Sequence, residues 1–186
     1  MTGAAEKGPV IAVVGPSGVG KDSLMSALAV SCPQLRLMRR VITRAPEAGG
    51  EDYQAVSEAE FSALAESGVF ALHWQAHGLH YGIPRDIEKL REGSSGVLVN
   101  LSRAVLLEAQ DVFGDFIVLS VTARPEVLAE RLSSRGREDA EEVQRRLARA
   151  VNPLQEGLVR VFEIDNSGAL SAAVKAALEA IQPERA

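Results

Sequence analysis

Runs of apolar residues alternate along this chain with segments of helical spacing, and the changes of rhythm mark its elements. Val10-Ile11-Ala12-Val13-Val14 is apolar throughout and too short for a helix, so it reads as a strand buried on both faces. A helix starts at Ser23 and runs through Ala29. Residues 36–42 read as a second strand. Ser57-Glu58-Ala59-Glu60-Phe61 is a capping box: Ser57 caps, Glu60 reaches back, and a short helix runs to about Glu66. Residues 70–75 and 80–83 read as two short strands around Gly78. The chain then alternates regularly. A helix is predicted over 84–91 with Pro84 in its first turn, then a strand at 97–99 and a helix at 102–110. A strand at 116–121 follows, with helices at 125–131 and 138–150, a strand at 159–164 and a last helix at 169–181. This order predicts an α/β fold with a parallel sheet core covered on both faces. The core takes residues 9–35 and 85–182, and residues 36–84 form a small inserted lobe of mixed structure. Residues 1–8 are polar and read as a flexible N-terminus.

Between the first strand and the first helix lies Gly15-Pro16-Ser17-Gly18-Val19-Gly20-Lys21-Asp22-Ser23. This has the pattern G-x-x-x-x-G-K of a phosphate-binding loop, in the required order of strand, glycine-rich turn and helix. Backbone N–H groups in such a turn point at phosphate oxygens, and the helix dipole favours the negative charge. Lys21 can reach the outer phosphates of a nucleoside triphosphate. A P-loop NTPase usually has Ser or Thr directly after the lysine, whose hydroxyl holds Mg²⁺. Here Asp22 stands in that position and the hydroxyl comes one place later, at Ser23. Nucleoside monophosphate kinases also depart from the rule there. The strands at 97–99 and 116–121 end in Asn100 and Thr122, so acids near the expected metal are scarce. Asp22 and Ser23 are therefore the candidate magnesium residues, with Asp22 acting directly or through water. The bland alternative for Asp22 is a helix-end charge.

Composition narrows the picture. A chain of 186 residues with 46% apolar residues can bury one substantial core. The net charge of −5 argues against a general nucleic-acid surface. Basic charge is carried mainly by arginine, whose planar fork suits phosphate. The single Cys32 fits a reducing compartment. No apolar run reaches the length of a membrane span. The expectation is a cytoplasmic protein with small-molecule substrates and neither nucleic-acid nor membrane partners, and a homodimer stays open.

Two arginine groups carry candidate chemistry. Arg131, Arg135 and Arg137 surround Gly136, and Arg145, Arg146 and Arg149 follow on the next helix. A hinging lid at about 132–140 would close Arg135, Arg137 and Arg146 over a transferring phosphoryl group and exclude water. The bland reading is a solvated helix–turn–helix. Arg40 and Arg44, with Asp52 and Tyr53, form a second candidate phosphate site. His73, His77 and His80 do not have the spacing of a zinc site. Strict alternation would place His73, Gln75 and His77 on one face, facing substrate, and Phe70, Leu72 and Trp74 on the other.

With these residues in view, the chain resembles the guanylate-kinase branch of the nucleoside monophosphate kinase fold over about residues 10–181. The phosphate loop, Thr43-Arg44, Asp52-Tyr53, Val56-Ser57-Glu58 and Tyr81-Gly82 carry that resemblance. It implies that Arg44, Tyr53 and Tyr81 hold the acceptor phosphate and that Arg135 and Arg137 lie in the lid. The departures concern the base. Leu72 stands where the family has a base-binding glutamate, Ile83 where it has a hydroxyl, and Glu47 near one of its phosphate-binding arginines. That register turns Leu72, not His73, to the pocket, and the sequence leaves the choice of face open. A closer resemblance is to the family of ribose 1,5-bisphosphate phosphokinases of bacterial phosphonate degradation. It rests on Gly20-Lys21-Asp22, residues 40–44, Gly49-Gly50-Glu51-Asp52 and the block from Phe70 to Pro84. This resemblance implies transfer from ATP, with Mg²⁺, onto the C1 phosphate of ribose 1,5-bisphosphate. The alternatives are a guanylate or other nucleoside monophosphate kinase, and a non-enzymatic guanylate-kinase-like binding module.

Overall fold

The computed structural model describes residues 6–46, 51–134 and 153–182. Among these, two sheets organise the chain. The first is five-stranded and parallel throughout. Its strands are β1 (Val10–Val14), β2 (Leu35–Leu37), β7 (Gly96–Asn100), β8 (Phe116–Thr122) and β9 (Val161–Asp165), in the order β2-β7-β1-β8-β9. The second is four-stranded, with β3 (Arg40–Ile42), β4 (Tyr53–Ala55), β5 (Phe70–Ala76) and β6 (Leu79–Pro84) in the order β4-β3-β6-β5.

Alternation of side chains across the parallel sheet produces two cores. Ile11, Val13, Leu98, Ile117, Leu119 and Val121 face helices α1 (Lys21–Ser31), α5 (Pro125–Ser134) and α6 (Leu170–Ile181). Val10, Ala12, Val14, Val97, Val99 and Val118 face the other way. They join Leu106, Ala109 and Phe113 of α4 (Leu106–Phe113) and the inner face of the second sheet. Strands buried on both faces need apolar residues at every position, which is why β1 is an unbroken apolar run. The four-stranded sheet is thus joined to the main core through Ile42, Leu72, Trp74, Tyr81 and Ile83.

The outer face of that second sheet is partly covered by α2 (Glu58–Glu66). Its capping box forms as the sequence predicts: Ser57 Oγ accepts from the Glu60 N–H, and Glu60 Oε2 accepts from the Ser57 N–H at 2.7 Å. Phe61 packs on Phe70, with ring centroids 4.8 Å apart. Gly82 admits that packing, since a Cβ there would lie 2.5 Å from the Phe70 ring.

Three expected elements differ. The strand read over 36–42 is two strands in two sheets. Leu35–Leu37 pairs with β7 and Arg40–Ile42 with β6 and β4, the chain switching sheets at Met38-Arg39. Pro84 ends β6 instead of opening a helix, and α3 starts later (Ile87–Arg91). A β-bulge between Phe70 and Leu72 shifts the alternation, so Phe70 shares the outer face with His73. The helix expected over 138–150 lies outside the described residues.

Candidate active site

The phosphate loop connects the C-terminal end of β1 to α1. Gly20 is the N-cap of α1, with φ 92°, a left-handed conformation that favours glycine. A Cβ at Gly20 would also meet Asn166 Nδ2 at 2.7 Å. The loop is clamped from that side. Asn166 Nδ2 donates to the Val19 carbonyl at 2.8 Å, and Arg131 of α5 donates to the same carbonyl at 3.2 Å and to that of Asn166 at 2.9 Å. The Val19 side chain is fully buried beneath. These contacts fix the turn so that the first-turn N–H groups of α1, which have no partner within the helix, face the loop. Gly15, Pro16, Gly18 and Gly20 are half-buried; Ser17, Asp22 and Ser23 are exposed. Asp22 and Ser23, in the first turn of α1, carry solvent-exposed side-chain oxygens, the donor type that magnesium takes.

Lys21 folds back over the loop, and its Nζ donates to the carbonyls of Gly15 at 2.9 Å and Pro16 at 3.2 Å. Burial lowers its pKa from 10.5 to about 8. The Asp22 carboxylate opposes this shift, Arg40 adds to it, Glu51 opposes it and Arg103 adds to it. The phosphate loop is therefore electrostatically continuous with the second sheet and with the turn after β7.

On the second sheet, Arg40 is buried at the first position of β3. Its Nε donates to Glu51 Oε2 at 3.0 Å and its Nη2 to Glu51 Oε1. The guanidinium lies 5.0 Å from the centroid of Tyr81 and 6.0 Å from that of Trp74. Those two rings stack on each other with centroids 5.3 Å apart and planes nearly parallel. Arg44 lies over the Tyr53 ring at 5.4 Å, and the Tyr53 hydroxyl donates to the Ala45 carbonyl. Asp52 is exposed and pairs with Arg39 at 2.9 Å.

The structure therefore places Arg40 over Tyr81, with its charge felt at Lys21, and Arg44 over Tyr53. It turns Asp52 outward to Arg39. Arg135, Arg137 and Arg146 lie outside the described residues. The face of β5 is also settled. Leu72 and Trp74 are buried inward, Trp74 beneath Arg40, while His73 and Gln75 are exposed on the opposite face. The expectation of a polar, substrate-facing His73 face is corrected accordingly. Residues given no site role from the sequence also contribute: Glu51, named there only as part of a motif, through Arg40, Asn166 through the loop clamp, and Arg103 through its charge near Lys21. Arg103 had a legible signal. It follows β7, beside β1, at the point where the strand order reverses and ligands of open α/β sheets bind.

A P-loop beside a small second sheet that carries buried and half-buried arginines defines a nucleotide-kinase-like site. The chain belongs to the guanylate kinase family, which it matches over residues 7–180. It is 78% identical to the ribose 1,5-bisphosphate phosphokinase PhnN of Ruegeria sp., over 97% of this chain and 95% of that one. It is 46% identical to the protein of the same name from Brucella melitensis, covering 92% and 91%. Among solved structures, a guanylate kinase from Anaplasma phagocytophilum shares the fold. Its TM-score is 0.70 at 16% identity, and the match covers 97% of this chain and 88% of that one. Among the described residues, no helix is long and apolar enough to cross a membrane.

Proposed function

We propose that this protein transfers the γ-phosphoryl group of ATP to the C1 phosphate of ribose 1,5-bisphosphate. The products are 5-phosphoribosyl 1-diphosphate and ADP, a step of phosphonate catabolism. The observation that carries this reading is the similarity to two proteins named for that activity, at 78% and 46% identity over nearly the whole chain. The geometry agrees with it. An oxygen of the C1 phosphate attacks the γ-phosphorus, the bond from that phosphorus to the β-bridging oxygen breaks, and ADP leaves with the electron pair. The attacking oxygen is already anionic, so the site needs positioning and charge neutralisation rather than a strong base.

The loop N–H groups and Lys21 hold the nucleotide phosphates. Asp22 and Ser23 would hold magnesium, which supplies charge neutralisation across the phosphates. Arg44, Tyr53 and Tyr81 orient the acceptor, with Arg40 beside them. Arg135, Arg137 and Arg146 are proposed to close from the lid. Incubation with ATP, Mg²⁺ and a panel of sugar phosphates and nucleoside monophosphates, with products identified by mass, tests the reading. Ribose 1,5-bisphosphate should give 5-phosphoribosyl 1-diphosphate; preferred turnover of any nucleoside monophosphate would reject it.

The lowered pKa of Lys21 has a consequence for pH dependence. In the free protein the ammonium discharges above about pH 8, and bound phosphate favours its charged form. Above that pH, kcat/KM for ATP should fall by about tenfold per pH unit, while kcat holds to higher pH. The effect on folding has the opposite sense. The folded pKa lies below the unfolded one, so burying the cation costs stability below about pH 8, and that cost is relieved as pH rises toward 10.5. Profiles of kcat/KM and kcat for wild type and Lys21→Arg check this, since the arginine variant should lose the break near 8.

A further inference from the structure

The Arg40–Glu51 pair poses a question that phosphate binding does not answer. An arginine recruited for phosphate alone would present its fork to the ligand. Here Nε and Nη2 donate to a carboxylate, and the guanidinium carbon lies over Tyr81 and Trp74. The pair is held by the fold: parallel pairing of β3 with β4 sets Arg40 beside Tyr53, two residues after Glu51. Both partners are sheltered, with side chains 7% and 15% exposed. A buried ion pair is a poor source of stability compared with apolar packing, so its presence beside the phosphate loop calls for another use.

Glu51 has the capacity for one. A carboxylate offers about four lone-pair positions, and Arg40 occupies one on each oxygen. A lone carboxylate close to Lys21 would repel a phosphorylated ligand. Neutralised by Arg40, it becomes a rigid pair of hydrogen-bond acceptors that a sugar phosphate can approach. The acceptor in the proposed reaction has esters at C1 and C5 and its C4 oxygen in the ring. Its free hydroxyls are therefore the vicinal pair at C2 and C3, both donors. We propose that Glu51, oriented by Arg40, accepts hydrogen bonds from the C2 and C3 hydroxyls of a furanose phosphate and so sets the acceptor specificity. Glu51 is then a substrate-contacting residue and Arg40 a positioning residue. This inference rests on the acceptor reading above.

The test uses the full chain with ATP and Mg²⁺, and compares kcat/KM for ribose 1,5-bisphosphate with that for its 2-deoxy and 3-deoxy analogues. In wild type, at least one missing hydroxyl should cost roughly 10- to 100-fold, the range of a hydrogen bond to a charged group. In Glu51→Gln that ratio should shrink to within about 3-fold, because the charged acceptor is gone while the shape remains. The ratio is internal to each protein. A purely structural role for the ion pair would slow both acceptors alike and leave the ratio at its wild-type value, which would overturn the proposal. Equal use of the parent and both deoxy analogues by wild type overturns it without any variant, whether or not Glu51→Gln folds. Failure of wild type to phosphorylate ribose 1,5-bisphosphate at all overturns the acceptor reading itself, and this inference with it.

Discussion

Replacing Lys21 by alanine should lower kcat by about 10²–10³-fold, the loss expected when one preorganised charge donor to the reacting group is removed. It should do so without unfolding the protein. Lys21 is half-buried at the start of α1, and its ammonium bonds only to the carbonyls of Gly15 and Pro16 among the described contacts. Its lowered pKa shows that holding the cation there is unfavourable to the folded state. The alanine variant should therefore melt at or slightly above the wild-type temperature at pH 7. Turnover by single-product assay, beside a thermal melt, separates the outcomes. A folded Lys21→Ala protein with near-normal kcat would remove the phosphate loop from the chemistry.

The parts of this fold that are legible in sequence are those built from consecutive residues. Strand β1, the glycine-rich turn and α1 follow one another, so the apolar run, the motif and the helix can be read together. The capping box at Ser57 and Glu60 is local in the same way. What the sequence hides depends on pairing between distant segments. Residues 35–42 have strand-forming character throughout, and nothing in them says that Leu37 belongs to one sheet and Arg40 to another; partners at Leu98 and Tyr53 decide that. The β-bulge after Phe70 moves one aromatic residue to the opposite face, where it meets Phe61. Alternation alone cannot anticipate that. The pairing of Arg40 with Glu51 likewise follows from the β3–β4 register. From sequence, Arg40 reads as a candidate phosphate ligand, because it groups with Arg44 and arginine can bind phosphate bidentately; its carboxylate partner emerges only from tertiary geometry.

Guanosine monophosphate should be a poor acceptor, and restoring one polar residue should not make it a good one. Leu72 and Ile83 are register partners on β5 and β6, 2% and 0% exposed, and both lie in the core that joins the two sheets. Neither can accept the N–H groups of a guanine edge. A site lacking those partners leaves buried donors unpaired, at about 1–3 kcal/mol each. With two or more such groups unmet, kcat/KM for guanosine monophosphate should fall roughly 10²–10⁴-fold below that for ribose 1,5-bisphosphate. Leu72→Glu would place a carboxylate against Ile83 and Trp74, on the same inner face. A buried charge without a partner costs about 3–5 kcal/mol, so the variant should lose most of its thermal stability before it gains a base-binding group. Because the two positions touch, the double change Leu72→Glu with Ile83→Ser is not the sum of its parts. It should still fall short of the wild-type rate on ribose 1,5-bisphosphate. Competition kinetics with both acceptors in one reaction measure the preference directly, and a melt of each variant separates lost specificity from lost fold. Comparable wild-type kcat/KM for the two acceptors would mean that the Leu72–Ile83 surface does not exclude the base, and the acceptor assignment would fall with it.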